Sequence, residues 1–152
     1  MNTSEHGAHV EELYLKENLL EELPRDLHKS LPNLSNMYLH KNNILRLPDD
    51  MGYMQSLTVL DLSKNHLKTI PKSMKALVSL KTLDLSHNQL TELDEIIFEI
   101  SSLEYLVAVG NRINSLPSIV SKLSHLFGLY LSRNMIACVP DSLADCSNIH
   151  EL

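Results

Sequence analysis

The sequence predicts an α/β fold of one kind: a right-handed solenoid bent into a horseshoe. A parallel β-sheet lines its concave face, and short helices or 3₁₀ turns cover its convex face. Three observations predict it. First, the 152-residue chain repeats every twenty-three residues, with units starting at Val10, Leu34, Leu57, Leu80, Leu103, Leu126 and Ile149; only the first spacing differs, at twenty-four. Second, each unit opens with the alternating apolar core of a short strand and closes with apolar residues three or four apart. Third, an asparagine stands at the ninth position of all six complete units. A fixed period of this size decides the fold, because one unit can bury its apolar face only against its neighbours. Residues 1–9 form a polar leader, and residues 10–152 form the repeat domain, six full units and a truncated seventh.

The strand comes first in each unit. In Leu57-Thr-Val-Leu60-Asp-Leu62 and Leu80-Lys-Thr-Leu83-Asp-Leu85, the alternation turns Leu60, Leu62, Leu83 and Leu85 inward. Asp61 and Asp84 must then point outward. The fifth unit, Leu106-Val107-Ala108-Val109-Gly110-Asn111, is less plain, since a one-residue slip would bury Val107 and Val109 instead. Leu103, Asn111 and Ile113 hold the register, which places Ala108 inside and both valines on the concave wall.

Next comes the turn. Asn18, Asn42, Asn65, Asn88, Asn111 and Asn134 lie where the chain leaves the strand and loses its ladder bonds. A buried amide both donates and accepts, so the six are expected to stack into a ladder that satisfies stranded backbone groups. They are structural residues, with no chemistry assigned to them.

The return segment follows. Pro71-Lys-Ser-Met74-Lys-Ala-Leu77 has the spacing of a short helix or 3₁₀ turn. The fourth unit has Asp94 in place of proline, where it is expected to cap a slightly longer helix with Glu95 favourable in its first turn. Return segments are wider than strands, so the sheet lines the inside of an arc. The sequence stops at Leu152, part-way through a seventh strand, which predicts an unpaired apolar edge. Such edges are usually covered. The expected covers are further units, a partner, or a second copy through self-association.

This twenty-three-residue pattern, Leu-x-x-Leu-x-Leu-x-x-Asn-x-Leu-x-x-Leu-Pro, is the leucine-rich repeat signature. Within it, Leu60-Asp-Leu-Ser-Lys-Asn65-His-Leu67-Lys-Thr-Ile-Pro71 and Leu83-Asp-Leu-Ser-His-Asn88-Gln-Leu90 resemble the intracellular Ras-group (Ras-suppressor-like) leucine-rich repeat proteins. The resemblance runs from Val10 to Leu152. It implies a non-enzymatic scaffold or regulator in signal transduction, holding a protein partner such as a small GTPase or a phosphatase against the concave wall.

Composition narrows the classes. A net charge of −6 and a pI near 5.7 argue against nucleic acid, which asks for a basic stripe, and against anionic membrane surfaces. No apolar run reaches membrane-spanning length. The leader lacks the hydrophobic stretch of a secretory signal, so the expected compartment is the cytoplasm. The two cysteines agree: Cys146 fills an apolar slot held elsewhere by Met54, Leu77, Ile100 and Leu123, while Cys138 takes a more exposed slot. A disulfide between them is not expected. Asn33-Leu34-Ser35 matches a glycosylation acceptor only by chance in a cytosolic chain.

Catalysis finds no support. None of the eight histidines stands in sequence with a cysteine or a carboxylate pair at metal-ligand spacing. His6 and His9 form a His-x-x-His in the leader, a weak signal. Ser63, Ser86 and Ser132 recur as turn residues with no base nearby. With four glycines there is no phosphate loop, and no cofactor is expected.

The candidate site is the wall. Outward strand positions are the third, fifth and seventh of each unit, and four of the five tyrosines fall on them: Tyr14, Tyr38, Tyr105 and Tyr130. The folding pattern does not ask for aromatics there, and tyrosine is a favoured interface anchor, although its strand propensity is also high. Tyr105, Val107, Val109 and Tyr130 are expected to form one apolar patch bordered by Asp84 and Ser132, with Tyr14 and Tyr38 as a second pair. His40, Asp61 and Asp84 complete the candidate contacts, the two aspartates less specifically because Leu-Asp-Leu-Ser recurs as a generic strand. Three functions compete: an interaction module gripping a signalling protein, a recognition or autoinhibitory fragment of a larger multidomain protein, and a self-associating repeat protein.

Overall fold

The computed structural model describes residues 7–152. Six three-residue strands, β1 (Glu12–Tyr14), β2 (Asn36–Tyr38), β3 (Val59–Asp61), β4 (Thr82–Asp84), β5 (Tyr105–Val107) and β6 (Gly128–Tyr130), form one parallel sheet in chain order. Register is kept without slippage: Tyr14 pairs with Tyr38, Tyr38 with Asp61, Asp61 with Asp84, Asp84 with Val107, and Val107 with Tyr130. The ladder runs on beyond the strands, as Leu62 N–H donates to Asp84 O at 2.8 Å and Leu85 N–H to Val107 O at 2.7 Å. Most of the leader lies outside the described residues, His6 of the His6/His9 pair with it.

The return segments are almost all 3₁₀: Met51–Tyr53, Lys72–Ala76, Glu95–Glu99, Ser118–Lys122 and Asp141–Asp145. Three of them start after proline (Pro71, Pro117, Pro140) with φ between −71° and −73°, the value its ring imposes. The first unit differs. It contains the extra residue, and its return segment closes an α-turn, α1 (Leu27–Ser30), with Leu31 N–H bonded to Leu27 O at 2.8 Å. Asp94 does cap its segment, its carboxylate accepting from Ile96 N–H at 3.1 Å. The longer helix expected there is not formed: Glu95–Glu99 has five residues, like its neighbours. The fixed repeat length leaves no room for another turn.

The inward leucines make one continuous core. Leu60, Leu62, Leu83, Leu85, Leu106 and Ala108 are fully buried, so the fifth unit takes the register with its valines outward. The asparagine ladder is regular through the middle. Asn88 donates to Leu62 O at 2.9 Å and Leu85 O at 3.0 Å, and accepts from Leu67 N–H at 2.9 Å. Asn42, Asn65, Asn111 and Asn134 repeat the arrangement, each donating to one carbonyl of the preceding unit and one of its own, and accepting from an N–H of the preceding unit. Asn18 is the exception. It is exposed and bonds only Leu15 O and Lys16 O of its own unit, because no described unit lies before it. Cys146 is half-buried and Cys138 exposed, both free; burial, and secondarily Asp145, pushes the Cys146 thiol upward.

Candidate functional site

Tyr14, Tyr38, Tyr105 and Tyr130 all sit on strands of the sheet with side chains at least partly exposed. The amino pair is stacked, with ring centroids 4.8 Å apart and planes 9° apart. The Tyr14 hydroxyl donates to Glu12 at 2.6 Å, which pushes the phenol upward; together with the Asn36 amide, it holds the Glu12 carboxyl below its ordinary value. This pair stands beside the polar side chains of Glu12 and Asn36.

The carboxyl pair is built differently. Tyr105 lies opposite Gly128, one strand over, and the ring of Tyr130 also leans over that glycine. A Cβ at Gly128 would lie 2.9 Å from Tyr105 Cδ1 and 2.8 Å from Tyr130 Cε2, so the missing side chain is what lets both rings settle there. Val107 lies beside Tyr130 in register, and Val107 and Val109 are half-exposed. The Tyr130 hydroxyl is held by Glu151.

The sequence reading missed Phe127. Its ring lies 5.7 Å from Tyr105 and stacks on His150 at 4.8 Å, extending the patch to the sheet edge. It stands at the second position of its unit, where other units have Glu11, Ser35, Thr58, Lys81 and Glu104. That contrast is the available signal, one that the outward third, fifth and seventh positions do not include.

His40 and Asp61 are not free contacts. His40 Nδ1 lies 3.0 Å from Asp61 Oδ2, and Asp61 Oδ1 accepts from the Ser63 hydroxyl at 2.7 Å and its N–H at 3.0 Å. Asp84 accepts from Ser86 N–H at 2.8 Å in the same way. Burial raises the Asp84 carboxyl above its ordinary 3.8, opposed by the Ser86 bonds and helped by Asp61 opposite. The Leu-Asp-Leu-Ser run is therefore a turn device first, with the aspartate closing the loop onto the residue two ahead.

One expectation from spacing is corrected. His28 does stand with two carboxylates, Asp26 and Asp50, whose ligand atoms lie within 4.8 Å of one another. Asp50 comes from the next unit, twenty-four residues beyond Asp26, so linear spacing hid it. Both acids are already engaged: Asp26 by Lys29 at 2.8 Å, and Asp50 by Asp26 N–H at 2.6 Å. An open groove of about 920 Å³ follows the Leu-Pro corners at Pro24, Pro48 and Pro71, and no wall residue lines it.

Residues 32–90 match the family model described as Leucine rich repeat. The chain folds as a leucine-rich repeat solenoid. A leucine-rich repeat protein of Leptospira interrogans shares 30% identity over 88% of this chain and 34% of its own, with a TM-score of 0.86. A structure described as a TDR receptor shares 26% over 93% of this chain and 26% of its own, at a TM-score of 0.80. An internalin from Listeria monocytogenes, at 20% identity and a TM-score of 0.66 over 90% of this chain and 46% of its own, matches in fold alone. The chain thus spans between about a quarter and a half of the length of these solved structures. Among the described residues no helix is long and apolar enough to cross a membrane.

Proposed function

We propose that this chain is a non-enzymatic protein-interaction module of cytosolic signalling, and that its concave wall grips a folded protein partner through Tyr105, Val107, Val109 and Tyr130. The partner class, a small GTPase or phosphatase component, follows the resemblance to the Ras-group repeat proteins. One observation carries the reading. Four aromatic or branched side chains stand together on the wall of a solenoid whose core neither contains nor needs them, with Phe127 continuing the patch. Stacked repeats create extended concave binding surfaces, and contiguous exposed apolar area marks interaction sites.

The wall offers a partner its four tyrosines and two valines, with His40, Asp61 and Asp84 as polar contacts beside them, His40 and Asp61 hydrogen-bonded to each other. The test is affinity capture or proximity labelling with the wild type and a Tyr105→Ala/Tyr130→Ala variant. Partners captured by the wild type should be lost with the variant, whose folding stability should fall by no more than about 1 kcal/mol. Equal capture by both would remove the wall from the argument.

A second reading, a recognition or autoinhibitory part of a larger protein, is favoured by the chain's spanning only 34%, 46% and 26% of the chains it matches. It uses the same wall, and mapping the transcript beyond the last codon decides it. Self-association through the carboxyl edge is the third reading, removed by a strictly monomeric mass across a dilution series.

A further inference from the structure

Every complete unit turns off its strand through a left-handed residue at its eighth position: Glu17, Lys41, Lys64, His87, Gly110 and Arg133, with φ between 54° and 68°. The left-handed region favours glycine, asparagine and aspartate, and the turn itself asks for nothing cationic. Yet Lys41, Lys64 and Arg133 stand there, with His87 between them. The ladder holds these positions side by side, Lys41 N–H donating to Ser63 O at 3.0 Å, Lys64 to Ser86 O at 2.7 Å, and His87 to Val109 O at 2.7 Å. All four side chains are exposed. At Gly110 the row would break, but the imidazole of His87 leans over the gap, 2.6 Å from where a Cβ would sit.

The neighbouring charges are arranged asymmetrically. The wall carboxylate of Asp61 is consumed by Ser63 and His40, and that of Asp84 accepts from Ser86. In the row, Lys41 is paired with Glu17 at 2.6 Å, whereas Lys64 and Arg133 pair with no carboxylate among the described residues. A turn that takes glycine at Gly110 instead displays Lys41, Lys64, His87 and Arg133 along one rim of the wall, in a row that Glu17 begins.

We infer that this rim, through Lys41, Lys64, His87 and Arg133, seats an extended acidic stretch of the partner polypeptide beside the aromatic wall. From β2 to β6 the row spans four strand steps, roughly 19 Å, the length of about six extended residues. A few spaced carboxylates fit the row, in which Lys64 and Arg133 stand without a carboxylate, whereas the denser charge of a continuous phosphate backbone would also meet Glu17, Asp61, Asp84 and the chain's net charge of −6. The inference rests on the wall being a protein-binding surface, and its test is read separately from that reading.

The probe is a fluorescein-labelled peptide of about twelve residues alternating Glu and Ser, followed by anisotropy. Saturable binding is expected, weakening severalfold as salt rises from about 50 to about 200 mM. A Lys64→Asn/Arg133→Asn variant should lose about tenfold in affinity; asparagine tolerates the left-handed turn, and circular dichroism verifies the fold. A Lys72→Asn/Lys122→Asn variant makes the same charge change on the return segments and should stay within about twofold. The Tyr105→Ala/Tyr130→Ala variant should bind the peptide as the wild type does. Equal weakening by both lysine-containing pairs, loss with the tyrosine variant, or no saturable binding at low salt overturns the rim. Tighter binding of a uridylate oligomer of similar length overturns the acidic polypeptide as its occupant.

Discussion

The fourth unit and the two outer units, the first and the sixth, share one residue pattern but are closed to different degrees. Leu85 of the fourth unit is wholly buried, while Leu131, its equivalent in the sixth, and Leu15, its equivalent in the first, are only partly so. Asn88 makes its bonds across units, and Asn18, its equivalent in the first, makes none beyond its own. An inner residue owes its burial to complete units on both sides; the first unit has a complete neighbour on one side among the described residues, and the sixth has one complete neighbour and the short segment 149–152. Stability in this molecule is thus a property of interfaces between units rather than of units.

The largest effect expected from that contrast is at the asparagines. Asn88→Ala would strand Leu67 N–H and the carbonyls of Leu62 and Leu85, and should lower stability by about 4 kcal/mol in urea unfolding. Asn18→Ala should move the midpoint hardly at all, by less than about 0.5 kcal/mol. Similar losses at both positions would refute the interface account.

Leucine truncation comes next. Leu85→Ala should cost about 3 kcal/mol and Leu131→Ala about half of that, since the outer site is already partly solvated. Smaller again is the turn. Gly110→Ala forces a Cβ onto φ 68° and against the His87 ring, for a loss of about 2 kcal/mol, whereas Arg133→Gly at φ 58° should change stability by only a few tenths.

The smallest effect is in pH. Because Asp84 has its folded carboxyl raised above 3.8, the native state holds that proton more tightly than the unfolded chain does. Its contribution favours folding at low pH and fades as pH rises through the raised value. Asp84→Asn should therefore stabilise the protein mildly at neutral pH and flatten the stability profile just above the ordinary carboxylate range. A profile unchanged by the substitution would show that Ser86 fully compensates the burial.

How much of this was legible in the sequence depends on where each cause lies. Period and asparagine position came through because they are imposed identically on every unit, and Ala108 was placed because its neighbours fix the pleat. Pairing of His40 with Asp61 was not legible: the two residues are twenty-one apart and meet only through the register of neighbouring strands. The Asp26–His28–Asp50 cluster escaped for the same reason, being assembled across the unit boundary. Phe127 was overlooked because its position in the unit lies at the margin of the strand. The cations at the turns were visible as letters, but only their positive φ reveals that the backbone had no use for them.

The hydrogen bonds between neighbouring turns carry a last consequence. Asn65, Asn88 and Asn111 each reach back twenty-six residues to a carbonyl one coil earlier, and each coil offers its successor the same set of groups. Excising residues 57–79 as a block would bring two matching surfaces together, whereas removing five residues anywhere in the coil would leave partners facing the wrong groups. A polypeptide of this design changes length by integers of one turn, and its span, hence the size of what it can embrace, is quantised.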